Sequence, residues 1–338
     1  MSNARQLAAN LPREGGLSNR NLIINGACNV QQRGSSTTTS GTYGNVDRFR
    51  LESGITGTIT LDAGTVSSGT EPYALGFRNT VRLTNTSIGT DVGADYAGIA
   101  TFLEAQSVAT SGWDYTSASG KITLSFWVKS SVAGTYTARF EAYDVSPTTK
   151  NYSISFTVAA NTWTKVVKTI SGDSTLQFDM NANVGLGLRI WAYIGTNYTT
   201  STNPVDTWDD LDGTDQTLDH PQNWRATSGA TFEVTGLMLE LGDTATPFEH
   251  RSYGDELQRC QRYYFYEFET IYGGRYSTSS GFAGFASLPV TMRADPTLSY
   301  IAVRTTPGLG AYASPNSAQY IMTHESPYVQ GLSADAEL

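Results

Sequence analysis

The sequence is poor in charge, lysine, histidine and cysteine. Only 16% of its 338 residues are charged, and 22 Lys and Arg against 31 Asp and Glu leave a net charge of -9. The few lysines all lie between Lys121 and Lys168. Because phosphate contacts require a basic surface, we do not expect the chain to bind nucleic acid.

Long hydrophobic runs are also missing. No apolar stretch reaches the roughly 18 residues of a membrane-spanning helix, so no membrane insertion is expected. The first residues contain no apolar core of a secretory signal, and none is predicted. Cys28 and Cys260 are too few and too far apart for a disulfide framework or a metal knuckle, and we predict two buried thiols.

Threonine, serine, glycine and tyrosine are plentiful instead, which favours strands joined by tight turns. Apolar and polar residues alternate with a period of two through much of the chain. The strands predicted from this pattern are residues 47–52, 56–62, 77–85, 96–105, 121–130, 134–144, 151–158, 163–170, 176–180, 186–194 and 231–241. With no long helix between them, they predict an all-β fold, a jelly-roll β-sandwich over residues 21–251.

Two further segments flank the predicted sandwich. Residues 1–20 are polar and aperiodic, which indicates an arm. Ser252 followed by Asp255 and Glu256 predicts the start of a short helix. Strand-like stretches at 288–292 and 297–304 then predict a smaller C-terminal β-domain, so that residues 252–338 form a short connecting helix and this domain.

Three predicted strands carry aromatic and charged residues on the side opposite their apolar residues. These residues are Trp127, Lys129, Arg139, Glu141, Tyr143, Arg189, Trp191 and Tyr193. Aromatic rings among polar groups are typical of a glycan-binding surface. Subunit interfaces are rich in the same residue types, and ordinary cross-strand packing would use them too. All three interpretations remain open at this stage.

Metal binding and catalysis find little support. Asp209, Asp210, Asp212 and Asp215 surround Gly213 and form a weak candidate for calcium, but their spacing is not that of a calcium loop, and a solvated loop is favoured. No cofactor is predicted. The histidines have no metal-ligand spacing and no G-x-S-x-G motif occurs, so we predict that the protein is not an enzyme.

Several motifs resemble a domain of bacteriophage tail fibres, the receptor-binding proteins of marine and cyanobacterial phages. The matching segments are 21–26 (NLIING), 32–34 (QRG), 47–49 (DRF), 236–242 (GLMLELG), 246–254 (TPFEHRSYG), 260–264 (CQRYY), 288–293 (LPVTMR), 296–297 (PT) and 335–338 (DAEL). The middle of the chain is also similar to jelly-roll carbohydrate-binding modules, through 125–130 (SFWVKS), 134–136 (GTY) and 162–165 (TWTK).

The resemblance implies a virion protein, located on the tail and assembled in the host cytoplasm. It would be a homotrimer that binds a host-surface polysaccharide without cleaving it, with residues 1–20 attached to the tail or another virion protein. The C-terminal domain would form the tip, with Tyr312, Tyr320 and Tyr328 as receptor contacts or as packing residues. The alternative is a capsid decoration or head-fibre protein with a structural role, which the absence of shaft repeats favours.

Overall fold

A computed structural model describes most of the chain beyond the N-terminal segment. It covers residues 19–89, 93–222, 224–272, 274–275, 282–299, 302–304, 310–322 and 328–338. Residues 1–18, most of the predicted arm, lie outside the described residues. The chain divides into two compact units, Met1–His250 and Arg251–Leu338.

The described residues of the first unit form strands and two short helices. Its strands are β1 (Arg50–Gly54), β2 (Thr58–Thr65), β3 (Asn79–Ser87), β4 (Tyr96–Glu104), β5 (Lys121–Ser130), β6 (Gly134–Ala142), β7 (Lys150–Val158), β8 (Thr164–Ser171), β9 (Val184–Ile194), β10 (Thr199–Thr200), β11 (Trp208–Asp210), β12 (Thr217–Leu218) and β13 (Thr231–Leu241). The helices are α1 (Glu71–Ala74) and α2 (Ala105–Ala109).

Two antiparallel sheets pack face to face. One has the strand order β1-β4-β9-β6-β7-β11 and the other β2-β3-β13-β5-β8, while β10 and β12 form a separate parallel pair. Rings from the two sheets meet between them, since Phe126 of β5 contacts Phe156 of β7. The chain crosses repeatedly between the two sheets, and the predicted all-β jelly-roll sandwich is confirmed.

The sequence pattern located the main strands well and failed at one place. Every strand predicted between residues 47 and 241 is present except 176–180, which is irregular. Leu176 and Phe178 are buried there, and Phe178 packs on Trp113 and Tyr115. The alternation of apolar and polar residues in this segment therefore reflects burial of its apolar side chains and not pairing with another strand. The helices α1 and α2 were not predicted, because four or five residues are too short to show a helical period.

The motif at residues 21–26 closes the sandwich at one edge of β13. Asn21 Nδ2 donates to the Leu237 carbonyl at 3.0 Å, and its Oδ1 accepts from the Leu239 amide at 3.0 Å. Asn25, at a φ of 60°, donates from Nδ2 to the Val30 carbonyl at 2.9 Å. These buried amides satisfy backbone groups that lie outside the regular ladders, so the motif has a structural role.

The second unit begins with α3 (Tyr253–Gln261), where the Asp255 amide donates to the Ser252 hydroxyl at 3.2 Å, as the capping pattern predicted. Its strands are β14 (Tyr264–Tyr272), β15 (Gly274–Arg275), β16 (Phe282–Ser287), β17 (Thr297–Ser299), β18 (Ala302–Arg304), β19 (Gly310–Ser314), β20 (Ser317–Met322) and β21 (Tyr328–Asp335). They form two four-stranded sheets. Residues 288–292 form no strand, and the predicted strand 297–304 is divided between β17 and β18.

Candidate functional site

The strands β6 and β9 are neighbours in the six-stranded sheet, and this adjacency builds the candidate site. Phe140 and Leu188 lie opposite each other in register and point into the core. Because side chains alternate along a strand, Arg139 and Arg189 also lie directly opposite each other, on the outer face. The outer face of this sheet therefore carries two guanidinium groups side by side.

Carboxylates and a phenol complete a polar network, which we name the arginine cluster. Its members are Arg50, Glu52, Arg139, Glu141, Tyr143 and Arg189. Glu141 accepts hydrogen bonds from Arg139 Nη2, Arg189 Nη1 and the Tyr143 hydroxyl. Arg50 Nη2 lies 2.6 Å from Glu52 Oε1, and Arg189 Nε lies 4.0 Å from the same oxygen. Such charge-assisted bonds hold the side chains in fixed orientations.

Burial differs across the arginine cluster. The side chains of Arg139 and Glu141 are 4% and 3% exposed, whereas those of Arg189 and Arg50 are 14% and 21% exposed. Burial lowers the pKa of both Arg139 and Arg189 to about 10, so both remain charged at neutral pH. Burial also raises the pKa of Tyr143 to about 12, which keeps its hydroxyl protonated and able to donate.

Aromatic rings underlie and flank the charged groups. The Arg50 guanidinium lies 4.3 Å from the centre of the Phe102 ring, and that of Arg189 lies 5.5 Å from the same ring. Trp191 packs edge-to-face against Tyr96, with 5.9 Å between ring centres. These rings restrain the guanidiniums by cation–π contact and provide an apolar component on a polar face.

A glycine of β4 makes room for the tryptophan ring. A Cβ atom at Gly98 would lie 2.5 Å from Trp191 Cε3 and 3.0 Å from the Ile190 carbonyl oxygen. No ordinary side chain fits between the two strands at this position. The Trp191 indole therefore lies over Gly98 of the neighbouring strand, and a larger residue at position 98 would displace it.

Residues 195–222 cover the half of this face that lies over β6. Gln216 Oε1 accepts a hydrogen bond from Arg139 Nη1 at 2.5 Å, and His220 Nε2 lies 2.7 Å from Thr137 Oγ1. Burial lowers the pKa of His220 to about 3, so the imidazole is neutral at physiological pH. On the other half, the side chains of Arg50, Glu52 and Arg189 are 21%, 13% and 14% exposed, so solvent reaches each of them in part.

The predicted residues of β5 lie on the other side of the sandwich. Trp127 belongs to the five-stranded sheet, is 5% exposed and packs against Ala27, Val66 and Phe77. Lys129 pairs with Glu233 at 2.7 Å. The eight predicted residues thus do not form one surface, because β5 and β6 belong to different sheets.

Tyr193 is also displaced from the predicted set. A β-bulge shifts the pairing between β4 and β9, so that Ala97 pairs with Tyr193 while Gly98 pairs with Trp191. Tyr193 consequently packs against the core, on the side opposite Trp191. One extra residue in the strand reverses the alternation that the sequence implied.

The predicted tip contacts fall outside what the structure describes, and the acidic loop forms no metal site among the described residues. The side chains of Tyr312, Tyr320 and Tyr328 lie outside the part of the chain whose side chains are described. Asp210 pairs with Lys150 at 2.6 Å, and Asp215 accepts from Thr200 and Asn203. Within the described ranges no three His, Cys, Asp or Glu residues are grouped as metal ligands.

Sequence reasoning missed the contribution of β1 and β4. Arg50 and Glu52 are two residues apart and therefore share a face of β1, and Phe102 lies on the neighbouring strand. The charged pair at this spacing was a usable signal, but nothing in the sequence placed β1 beside β4 and β9. None of the helices in the described part of the chain is long and apolar enough to cross a membrane.

No family profile and no curated protein matches the chain in sequence. Among solved structures, it is similar to the enzymatically active domain of tailspike protein 4 of bacteriophage CBA120, with 13% identity and a TM-score of 0.36 over 66% of this chain and 21% of that chain. It is also similar to a family 11 carbohydrate-binding module of a cellulosomal cellulase of Clostridium thermocellum, with 13% identity and a TM-score of 0.31 over 63% of this chain and 97% of that one. The chain spans about a fifth of the length of the tailspike domain.

Proposed function

We propose that this protein is a virion protein that binds a host-surface polysaccharide without cleaving it, through the outer face of the six-stranded sheet. The observation that carries the proposal is the arginine cluster, in which charged groups on an aromatic base are held in place and partly open to solvent. In its finer form, the proposal is a homotrimeric tail fibre.

Saccharides present many hydroxyl groups and one apolar ring face. A binding site therefore needs donors and acceptors with fixed directions beside aromatic surface. Arg50, Glu52 and Arg189 provide donors and acceptors that solvent reaches, and their contacts with Phe102 and with each other limit their rotation. Because these side chains are already ordered, they would lose less entropy on binding a sugar than the side chains of a mobile surface would.

The partners of the two carboxylates support binding without hydrolysis. Glycoside hydrolysis requires one carboxyl group that donates a proton and a second that acts as nucleophile or base. Glu141 accepts from two guanidiniums and a phenol, and Glu52 pairs with Arg50. Both carboxylates are engaged as acceptors, so neither is positioned to donate a proton to a substrate.

The virion assignment is supported by the sequence motifs. The segments 21–26 and 236–264 resemble the phage tail-fibre domain, and the described structure shows that Asn21 joins the two segments by hydrogen bonds to β13. We propose attachment to the tail through residues 1–20 and assembly in the host cytoplasm.

A binding assay with matched variants tests the proposed surface. Full-length protein should be retained on immobilised bacterial surface polysaccharide, and Arg50→Ala should weaken retention at least about tenfold, the cost of one charge-assisted contact. Arg82→Ala is the control. This substitution also removes one positive charge, but from the other sheet, at a side chain that is 35% exposed. Equal loss of retention in both variants would contradict the proposal.

Two further experiments test the location and the oligomer. Immunogold labelling should place the protein on the phage tail, and gold on the capsid would favour the decoration or head-fibre alternative. Sedimentation of the purified chain should give the mass of three copies of the 36.5 kDa chain. A monomer at micromolar concentration would contradict the trimer while leaving the binding surface to be judged by its own assay.

A further inference from the structure

The numbers of positive and negative groups in the arginine cluster are unequal. The inference drawn below from this inequality rests on the proposed function. Three guanidiniums, those of Arg50, Arg139 and Arg189, meet two carboxylates, those of Glu52 and Glu141. The arginine cluster itself therefore carries one positive charge in excess, although the whole chain carries -9.

The excess charge lies where a ligand can reach it. Arg139 is almost fully enclosed and donates to Glu141 and Gln216. Arg189 retains 14% exposure, and its hydrogen bonds to Glu141 and Tyr143 both use Nη1. Neither of these two bonds to described residues uses the Nη2 donor of Arg189. An acid group approaching from solvent would meet this donor beside the partly exposed Arg50.

Partial burial makes the excess charge costly in the unliganded protein. Desolvation lowers the pKa of Arg189 to about 10, so burial disfavours the charge of this guanidinium, although it remains protonated at neutral pH. An anion placed against it would restore electrostatic balance in a setting of low dielectric constant, where a charge pair interacts more strongly than in water. A neutral hydroxyl would provide a hydrogen bond but no such compensation.

The acidity of the whole chain does not oppose this local effect. Charges separated by more than the Debye length, about 8 Å at physiological salt, are largely screened from one another. The groups of the cluster lie within 4.0 Å of their partners and therefore determine the potential at Arg189.

We propose that the arginine cluster binds an acidic saccharide, one whose repeating unit carries a singly charged acid group that pairs with Arg189 and Arg50. A uronate carboxylate and a sulfate ester share this chemistry. Either group offers oxygens to the guanidinium fork, and either supplies the one negative charge that the arginine cluster lacks.

Titration calorimetry on the full-length protein separates an acidic from a neutral ligand. The probes are short oligosaccharides in matched sets: oligouronates, the same oligosaccharides after reduction of the carboxyl groups to alcohols, and sulfated counterparts. We expect at least one acidic probe to bind about tenfold or more tightly than its reduced form at 0.15 M salt. Comparison of the uronate with the sulfate arm identifies which acid group is preferred.

Variants at one position assign the preference to the cluster. Arg189→Gln should bring the acidic and the reduced probe to within about threefold of each other, while Arg189→Lys keeps the charge and should retain part of the preference. Arg82→Gln on the other sheet should retain all of it. If Arg189→Gln does not fold, the wild-type comparison and Arg189→Lys still decide the question.

The outcomes distinguish this inference from the function on which it rests. Equal affinity for acidic and reduced probes would overturn the acidic preference and leave saccharide binding intact. Binding of no probe in any set would overturn both. A preference for acid that survives in Arg189→Gln would remove the arginine cluster as its source.

Discussion

Arg139 and Arg189 occupy directly opposite positions of β6 and β9, and Glu141 accepts a hydrogen bond from each of them. Two like charges in this position would repel each other if the carboxylate did not lie between them. The geometry of the whole face depends on that one buried side chain, which is 3% exposed.

Replacing the central carboxylate should destabilise the fold. Glu141→Gln leaves Arg139 and Arg189 without their shared counterion, and removing one partner of a buried ion pair costs about 3–5 kcal/mol. We expect the free energy of unfolding to fall by about that amount in urea titrations. Asp62→Asn is the control, because its pair with Arg82 is 35% exposed on both sides and should change stability by less than about 1 kcal/mol. Similar losses in both variants would contradict the structural role of Glu141.

Gly98 should tolerate no side chain. A Cβ atom at this position would lie 2.5 Å from Trp191 Cε3, and overpacking of this kind costs about 1–3 kcal/mol. Thermal unfolding followed by near-UV circular dichroism should show a lower midpoint for Gly98→Ala and a changed tryptophan signal. Gly213→Ala, whose new Cβ would meet nothing within 4 Å, should melt like the wild type. An unchanged midpoint for Gly98→Ala would show that the indole is not wedged at β4.

His220 should make the protein acid-sensitive. Its pKa is lowered by burial from 6.5 to about 3, so the unfolded chain binds a proton that the folded chain excludes. Stability from this group is complete above pH 6.5 and is lost as the pH falls from 6.5 towards 3. The difference in unfolding free energy between pH 7 and pH 4.5 should therefore be smaller in His220→Gln than in the wild type. His250→Gln, at an exposed position, is the control and should keep the wild-type difference.

The buried thiols should be inert in the native protein. Burial raises the pKa of Cys28 to about 12, so the reactive thiolate is scarce at neutral pH, and the side chains of both Cys28 and Cys260 are inaccessible. We expect a disulfide reagent such as Ellman's reagent to modify neither cysteine within minutes at pH 8, and to modify both in guanidinium chloride. Stoichiometric labelling of the folded protein would contradict the described burial.

Most strands of the sandwich, and the helix α3 of the second unit, were predictable because their sequence signals are local. The alternation of Tyr136, Ala138 and Phe140 predicts β6 without knowledge of its neighbours, and Ser252 predicts the start of α3 from a spacing of three residues. The same local logic correctly placed Arg139, Glu141, Arg189 and Trp191 on the outer faces of their strands.

The grouping of side chains on those faces was not predictable in this way. Trp127 has the same pattern as Trp191, yet β5 and β9 belong to different sheets, and the two indoles lie on opposite sides of the sandwich. Both rings are nearly enclosed, at 5% and 4% exposure, Trp127 by Ala27, Val66 and Phe77 and Trp191 by Tyr96 and Gly98 of β4. Exposure on a polar face therefore depends on which distant parts of the chain pack against it.

Residue periodicity alone determined the all-β class, most strand positions, the capped helix and the side of each strand that carries charge. Only the tertiary structure decided that β1 and β4 join β9 and β6, that a bulge turns Tyr193 inward, and that three arginines meet two carboxylates. The physical reason is that alternation depends on neighbouring residues in the chain. The charge balance of a site instead depends on which distant strands exchange hydrogen bonds.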